Sequence, residues 1–185
     1  AMISVEMAQH RAGLYAPCYG TFGGAGLAQL FEATDSQKER YLYPTLRGEK
    51  RGFFGLSEPS GGSDPARAIQ TKAGRDGDDW SINGTKLWIS GADRAQFGLV
   101  FARTDSDKGR NGVTCFIVDT DTPGFHVRRI VHTLRSAHYA TELQFEDMRI
   151  PGENILGEVN KGFAIANDRL TSQRIPYAAG CIGVA

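Results

Sequence analysis

The chain is short of the features that would tie it to nucleic acid, a membrane or a disulfide framework. Its 185 residues include only three cysteines, Cys18, Cys115 and Cys181. They are odd in number, far apart and without a C-x-x-C pair, so they read as unpaired thiols in a reducing compartment. Charge of one sign is lacking too: Lys+Arg and Asp+Glu each number 21. There is no basic field to hold a polyanion, and any charged ligand must be held by local groups. No apolar run is long enough to span a bilayer, and the start lacks a signal-peptide pattern. Repeats and low-complexity tracts are also missing. What remains, 41% hydrophobic and 23% charged residues, is ordinary for a soluble globular protein with one domain or two small ones.

The first 50 residues are helical in character. Met2, Val5, Ala8 and Ala12 recur at helical spacing beside Glu6, Gln9 and His10, predicting helix over 1–16. A glycine-rich bend at 20–26 precedes a short helix around 27–33. Thr34-Asp35-Ser36-Gln37 is a capping box, opening a helix over 37–47 that Gly48 stops. From Gly52 the period changes to that of strands, predicted at 52–57, 69–75, 79–83, 85–90, 97–104, 112–119, 125–131 and 140–150. Turns fall at Asp76-Gly77-Asp78, Asn83-Gly84, Asp107-Lys108-Gly109 and Thr122-Pro123-Gly124. Asn83-Gly84 is the strongest short hairpin signal among them. After Pro151-Gly152 the chain turns helical again over 162–185 and stops at Gly183-Val184-Ala185 without a cap or breaker. The expectation is an α+β chain: helices, then an antiparallel β-barrel or sandwich, then the start of a helical bundle. Both ends read as cut from a longer protein.

Two segments carry the chemistry. Phe54-Gly55-Leu56-Ser57-Glu58-Pro59-Ser60-Gly61-Gly62-Ser63-Asp64 runs from a strand into a turn whose glycines let backbone approach a ligand closely. Trp88-Ile89-Ser90-Gly91 ends a strand, and period-2 alternation puts Trp88 and Ser90 on one face. A flat ring beside a hydroxyl suits a planar, polar cofactor. The plain alternative is a core aromatic at Trp88 and an ordinary turn serine at Ser57.

In this order the two segments resemble the flavin-binding signature of the acyl-CoA dehydrogenases, and four more segments match that family in register. They are Gln37–Leu42 with Gly48-Glu49, Ile82–Ser90, Phe145–Pro151, and Gly162–Arg174 with Ala178-Ala179-Gly180. The resemblance covers essentially the whole chain. It implies the end of an N-terminal helical domain over 1–51, a β-domain over 52–156 and the start of a C-terminal helical domain over 157–185. It further implies FAD as cofactor, an acyl-CoA substrate, electron-transfer flavoprotein as oxidant and a homo-oligomer, tetramer or dimer. The compartment implied is the cytoplasm, or the mitochondrial matrix in a eukaryote.

Carried over residue by residue, the resemblance assigns cofactor binding to Phe54, Leu56, Ser57, Ser63, Trp88, Ile89 and Ser90. The Leu56 and Ser57 amides and the Ser57 hydroxyl would serve the pyrimidine side of the flavin; Trp88 would cover the ring and Ser90 reach toward N5. Ser57 and Ser90 stand where relatives usually have Thr. Ser63, Thr171 and Arg174 would contact the CoA part of the substrate, Thr171 where some relatives carry Asp. For Ser63 a helix N-cap or turn serine is the plain alternative, and for Arg174 a solvated arginine. Gln173 occupies the position where a minority of the family places its catalytic glutamate. An amide cannot take the α-proton, so no catalytic residue is assigned here and the base is expected beyond Ala185. Glu58 is read as structural, leading into the Pro59 turn.

Other features fall away. Gly24-Ala25-Gly26 has no preceding strand and no third glycine, so it is not a dinucleotide fingerprint. His126, His132 and His138 lack the spacing and partners of a metal site. His138-Tyr139-Ala140-Thr141 departs from the family's usual Ser- and Thr-bearing loop. An acyl-CoA oxidase or flavin monooxygenase of the same fold is the alternative enzyme, and a non-catalytic acyl-CoA-binding relative the alternative outside enzymology.

Overall fold

The computed structural model describes residues 2–9, 27–132 and 140–185. Cys18, the Gly24-Ala25-Gly26 segment, His138 and Tyr139 lie outside the described residues, as do residues 1 and 10–16 of the helix expected over 1–16.

Helix α1 is Met2–Ala8. The short helix expected near 27–33 is a single 3-10 turn, Ala28–Glu32. The next helix, α2, opens on the expected capping box: Gln37 N donates to Thr34 Oγ1, and Thr34 N donates to the Gln37 side chain. It runs as Asp35–Gln37, a π-helical turn Lys38–Leu42 and Tyr43–Leu46. The Gln37 amide also donates to the carbonyls of Glu153 and Ile155, tying the helix start to the end of the sheet.

Eight strands follow: β1 Gly52–Gly55, β2 Lys72–Asp76, β3 Asp79–Ser90, β4 Phe97–Arg103, β5 Val113–Asp119, β6 Phe125–Val131, β7 Ala140–Ile150 and β8 Ile155–Leu156. A one-turn helix α3, Pro65–Ala68, separates β1 from β2, and α4, Gly162–Val184, closes the described chain. Among the described residues, no helix is long and apolar enough to cross a membrane.

The strands form one sheet in the order β6-β7-β3-β2-β4-β5-β8, with β1 beside β4. The path is open, so the barrel alternative gives way to a folded-over sheet. The pairing is not wholly antiparallel either: β1 pairs β4 in parallel over Gly52–Gly55, and Lys72 of β2 pairs Arg103 the same way. Alternation along β4 explains the layers. Phe97, Leu99 and Phe101 face a core shared with Leu30, Tyr41, Leu42 and Ala166 of the helices. Val100 and Ala102 face a second core with Phe53, Trp80, Ile82, Phe116, Phe145 and Met148 of the opposing strands. Both faces of β4 are covered, so it reads as a continuous apolar run, not an alternating one.

The Asn83-Gly84 hairpin does not form. One strand, β3, runs straight through both residues, and the hairpin is made instead at Asp76–Asp79, where Gly77 takes a φ of 64°. At Asn83-Gly84 the β3–β7 register slips by a bulge. The Asn83 side chain exchanges two hydrogen bonds with Asp147, of 2.9 and 2.8 Å, and Gly84 passes close to Thr71. The dipeptide carries the turn signature, but here its glycine meets a demand for close approach and its asparagine pins a bulge.

Candidate functional site

Past Gly55, β1 leaves the edge of β4, because its last ladder pair is Gly55 with Val100. The next two amides lose their strand partner. Among the described residues, the N–H groups of Leu56 and Ser57 have no acceptor, although Leu56 is only 4% exposed. Buried amides without a partner are rare and call for a ligand or water. The rest of this loop is firmly held. The Ser57 carbonyl accepts from Leu87 N at 2.9 Å, and the Leu56 carbonyl accepts from Lys86 Nζ at 3.2 Å. Thus the two segments singled out from sequence are brought side by side by neighbours of Trp88.

Glu58 is structural, as expected. Its carboxylate accepts from Gln70 N at 2.6 Å, Thr71 N at 3.1 Å and Lys86 Nζ at 2.7 Å. The Lys86 ammonium spends its third donor on the Phe101 carbonyl at 2.6 Å and is fully buried. Burial pulls Lys86 down to about 8, while the Glu58 carboxylate holds it up. Sequence reasoning passed over Lys86, because a lysine in an alternating strand normally marks the solvent face. The available signal was its phase: it breaks the run between two inward positions of β3.

Trp88 sits in the second β3–β7 irregularity, between Lys86 and Ile89, with a φ of 66°. For a bulky residue that conformation is a true outlier. Its side chain is 55% exposed. Ser90 is exposed as well, and Ile89 between them is buried. The shared exposure holds, though the cause is a bulge and not simple alternation. Ile89 can offer only its main chain: its side chain fills the core, and its carbonyl accepts from Thr141 Oγ1 at 2.8 Å. Phe54 is half-buried, its ring 4.9 Å from that of Phe101 and capped by the Arg169 guanidinium at 4.7 Å. Its aromatic faces are used in packing, so it supports the loop from behind.

Ser63 is exposed in the bend before α3, where the N-cap position belongs to Asp64. That bend is anchored by Arg103, whose guanidinium donates to the carbonyls of Ala66, Ile69 and Gly109 at 2.9, 3.1 and 2.6 Å. Thr171 and Arg174 are both exposed on α4, with Gln173 half-buried beside them. Spaced by three, Thr171 and Arg174 are neighbours on the helix surface. Among the described residues no hydrogen bond or ion pair joins them to Ser63. Further along, α4 carries Pro176 in its interior without breaking.

A folded sheet between helices thus presents two open amides and an exposed indole at one loop cluster. The sequence profile of the acyl-CoA dehydrogenase middle domain matches residues 53–148, and the chain belongs to the acyl-CoA dehydrogenase family. It is 42% identical over 153 residues to a short-chain specific acyl-CoA dehydrogenase of Clostridium acetobutylicum, covering 82% of this chain and 40% of that protein. Among solved structures, butyryl-CoA dehydrogenase from Megasphaera elsdenii superposes with a TM-score of 0.87 at 36% identity, over 97% of this chain and 47% of that one. A glutaryl-CoA dehydrogenase of Mycobacterium smegmatis, solved in complex with FADH2, gives 0.74 at 33% identity, over 85% of this chain and 39% of that one. The chain therefore spans less than half the length of these relatives.

Proposed function

We propose that this chain is the middle of an FAD-dependent enzyme that desaturates an acyl-CoA thioester between its α and β carbons. Residues 1–51 would close an N-terminal helical domain, 52–156 form the β-domain and 157–185 begin a C-terminal helical domain. The observation that carries the reading is the pair of open amides at Leu56 and Ser57 beside the exposed Trp88 ring. Two N–H donors and a hydroxyl on one loop fit the acceptor-rich pyrimidine edge of a flavin, and an indole fits its flat face.

FAD, when bound, supplies the acceptor for the hydride that leaves the β-carbon. The protein's own residues have simpler tasks. Leu56 and Ser57 orient the ring and offer positive dipoles where reduction adds negative charge. Trp88 covers one face and excludes water. Ser90 stands close enough in sequence to present its hydroxyl to the same ring. Thr171 and Arg174 would bind CoA, the guanidinium engaging phosphate oxygens. The α-proton needs a base that Gln173 cannot provide, so that carboxylate is assigned to the part of the protein beyond these residues. The family resemblance supports, as part of the same proposal, electron-transfer flavoprotein as oxidant and a homo-oligomer, tetramer or dimer.

Full-length protein containing this segment should purify yellow and release FAD on denaturation; colourless protein that cannot be reconstituted would sink the assignment. Arg174→Ala should raise KM for acyl-CoA far more than for a short acyl-pantetheine, by about 1.5–3 kcal/mol of lost charge-assisted contact. Equal effects on both substrates would move Arg174 into the packing of α4.

A further inference from the structure

We propose that Lys86 is a positioning residue for the flavin-binding loop, acting through the Leu56–Ser57 peptide to strengthen the Ser57 N–H as a donor. This rests on the flavin reading above and extends it to a residue outside the resemblance-based site.

The geometry is specific. The carbonyl of Leu56 and the amide N–H of Ser57 belong to one peptide unit. A buried ammonium lies 3.2 Å from that carbonyl oxygen, and on the far side of the same unit the N–H has no acceptor among the described residues. A cation at the oxygen draws electron density along the conjugated amide and leaves the N–H more positive. Hydrogen bonds linked through one peptide reinforce each other in this way, and more strongly where the dielectric is low. Glu58 offsets part of the charge, at 2.7 Å from Nζ. Its carboxylate is itself shared with the Gln70 and Thr71 amides, so the ammonium is not cancelled at Leu56.

Stability alone does not account for the pair. A buried ion pair is often no more stabilising than apolar residues of the same volume, and a leucine or methionine at position 86 would suit the surrounding core. What an apolar side chain could not do is hold three acceptors from three segments at once: Leu56 of the loop, Glu58 of the turn and Phe101 of β4. The direct consequence falls on the redox equilibrium. A stronger Ser57 donor favours the reduced, more negative ring over the oxidised one, so Lys86 raises the flavin potential.

The test uses the full-length FAD-loaded protein without substrate. Lys86→Met combined with Glu58→Gln replaces both charges by uncharged side chains of similar length and strands neither ion. Its reduction equilibrium is expected to shift at least ten-fold toward oxidised flavin, about 30 mV more negative for a two-electron couple. Lys86→Arg, which keeps the charge, should stay within two-fold of the parent. Should the double variant fail to fold, Lys86→Gln keeps a donor for Leu56 without the charge and is expected to shift the same way. Where a variant holds FAD weakly, the ratio of its dissociation constants for oxidised and reduced FAD gives the same quantity. Neutral variants with the parent's potential, or Lys86→Arg displaced as far as the neutral ones, would overturn the role. A parent protein that takes up no FAD would instead overturn the proposed function, so the two failures are separable.

Discussion

Trp88 concentrates the site's cost and its use in one residue. A left-handed backbone at a bulky, non-glycine position costs about 1–3 kcal/mol and persists only where the surroundings enforce it. Here they do: Lys86 on one side is anchored to three acceptors, and Ile89 on the other is buried and bonded to Thr141. The strain turns an indole outward that would otherwise pack in the core. Two substitutions separate strain from stacking. Trp88→Ala and Trp88→Gly both remove the ring and should weaken FAD retention by on the order of 1 kcal/mol or more. Only Trp88→Gly also relieves the backbone, so without cofactor it should be more stable than Trp88→Ala by about 1 kcal/mol, read from denaturant midpoints. An alanine variant equal to or above the glycine variant would mean that the bulge holds its shape without strain. The ring's identity and neighbourhood were legible in the sequence. Its conformation was not, because nothing local distinguishes a left-handed tryptophan from an extended one.

At the scale of elements, the sheet was legible wherever apolar alternation was continuous, and strands β4 to β7 fall within one residue of their expected ends. The failure was at Asn83-Gly84, where local turn chemistry and tertiary packing ask for the same two residues for different reasons. A Cβ on Gly84 would lie 2.6 Å from the Thr71 Cα, at a φ of 152°. Gly84→Ala should therefore destabilise by about 2 kcal/mol or more through backbone displacement, seen as a lowered Tm; a neutral effect would contradict the close approach of Gly84 to Thr71. The Lys86–Glu58 link between the loop and β3 adds a pH dependence. Burial pushes the Glu58 carboxyl up, but the Lys86 ammonium and the backbone amides together pull it below its ordinary value of 4.5. A carboxyl depressed in the folded state stabilises above its unfolded value, and that contribution is lost as pH falls through the folded value. Glu58→Gln leaves Lys86 without its anion at neutral pH and should be the less stable protein there. Below about pH 4.5 the parent loses its advantage, and the gap between the two unfolding midpoints should narrow. A gap that stays constant from pH 7 to pH 3 would mean the pair contributes nothing linked to protons.

Taken whole, the described residues form a sheet covered on both faces and a last helix that is only partly covered. The two cores close around β4 and β5, but α4 leaves Ile175 69%, Tyr177 47% and Ile182 68% exposed. Beside them, Ala179 and Gly180 are buried, and a Cβ on Gly183 would come within 2.2 Å of the Val5 carbonyl of α1. Ile175 and Ile182, seven residues apart, share a stripe of α4 that borders this tightly fitted face, and large apolar groups in water are seldom tolerated by a monomeric protein as a continuous patch. The relatives are more than twice as long, and a helical domain extending over α4 would cover that stripe. The same reasoning bears on activity. Under the proposed function the Leu56–Ser57 amides and Trp88 are one wall of a flavin site, and the half-buried amide of Gln173 supplies no base. The isolated 185-residue chain should therefore self-associate in sedimentation, bind FAD weakly in fluorescence titration and leave added flavin unbleached when given acyl-CoA. Truncating the exposed side with Ile175→Ser and Ile182→Ser should shift it toward monomer without improving FAD binding, because the missing wall lies elsewhere. Acyl-CoA-dependent bleaching by the isolated chain would contradict the argument directly, since some residue before Ala185 would then be taking the proton.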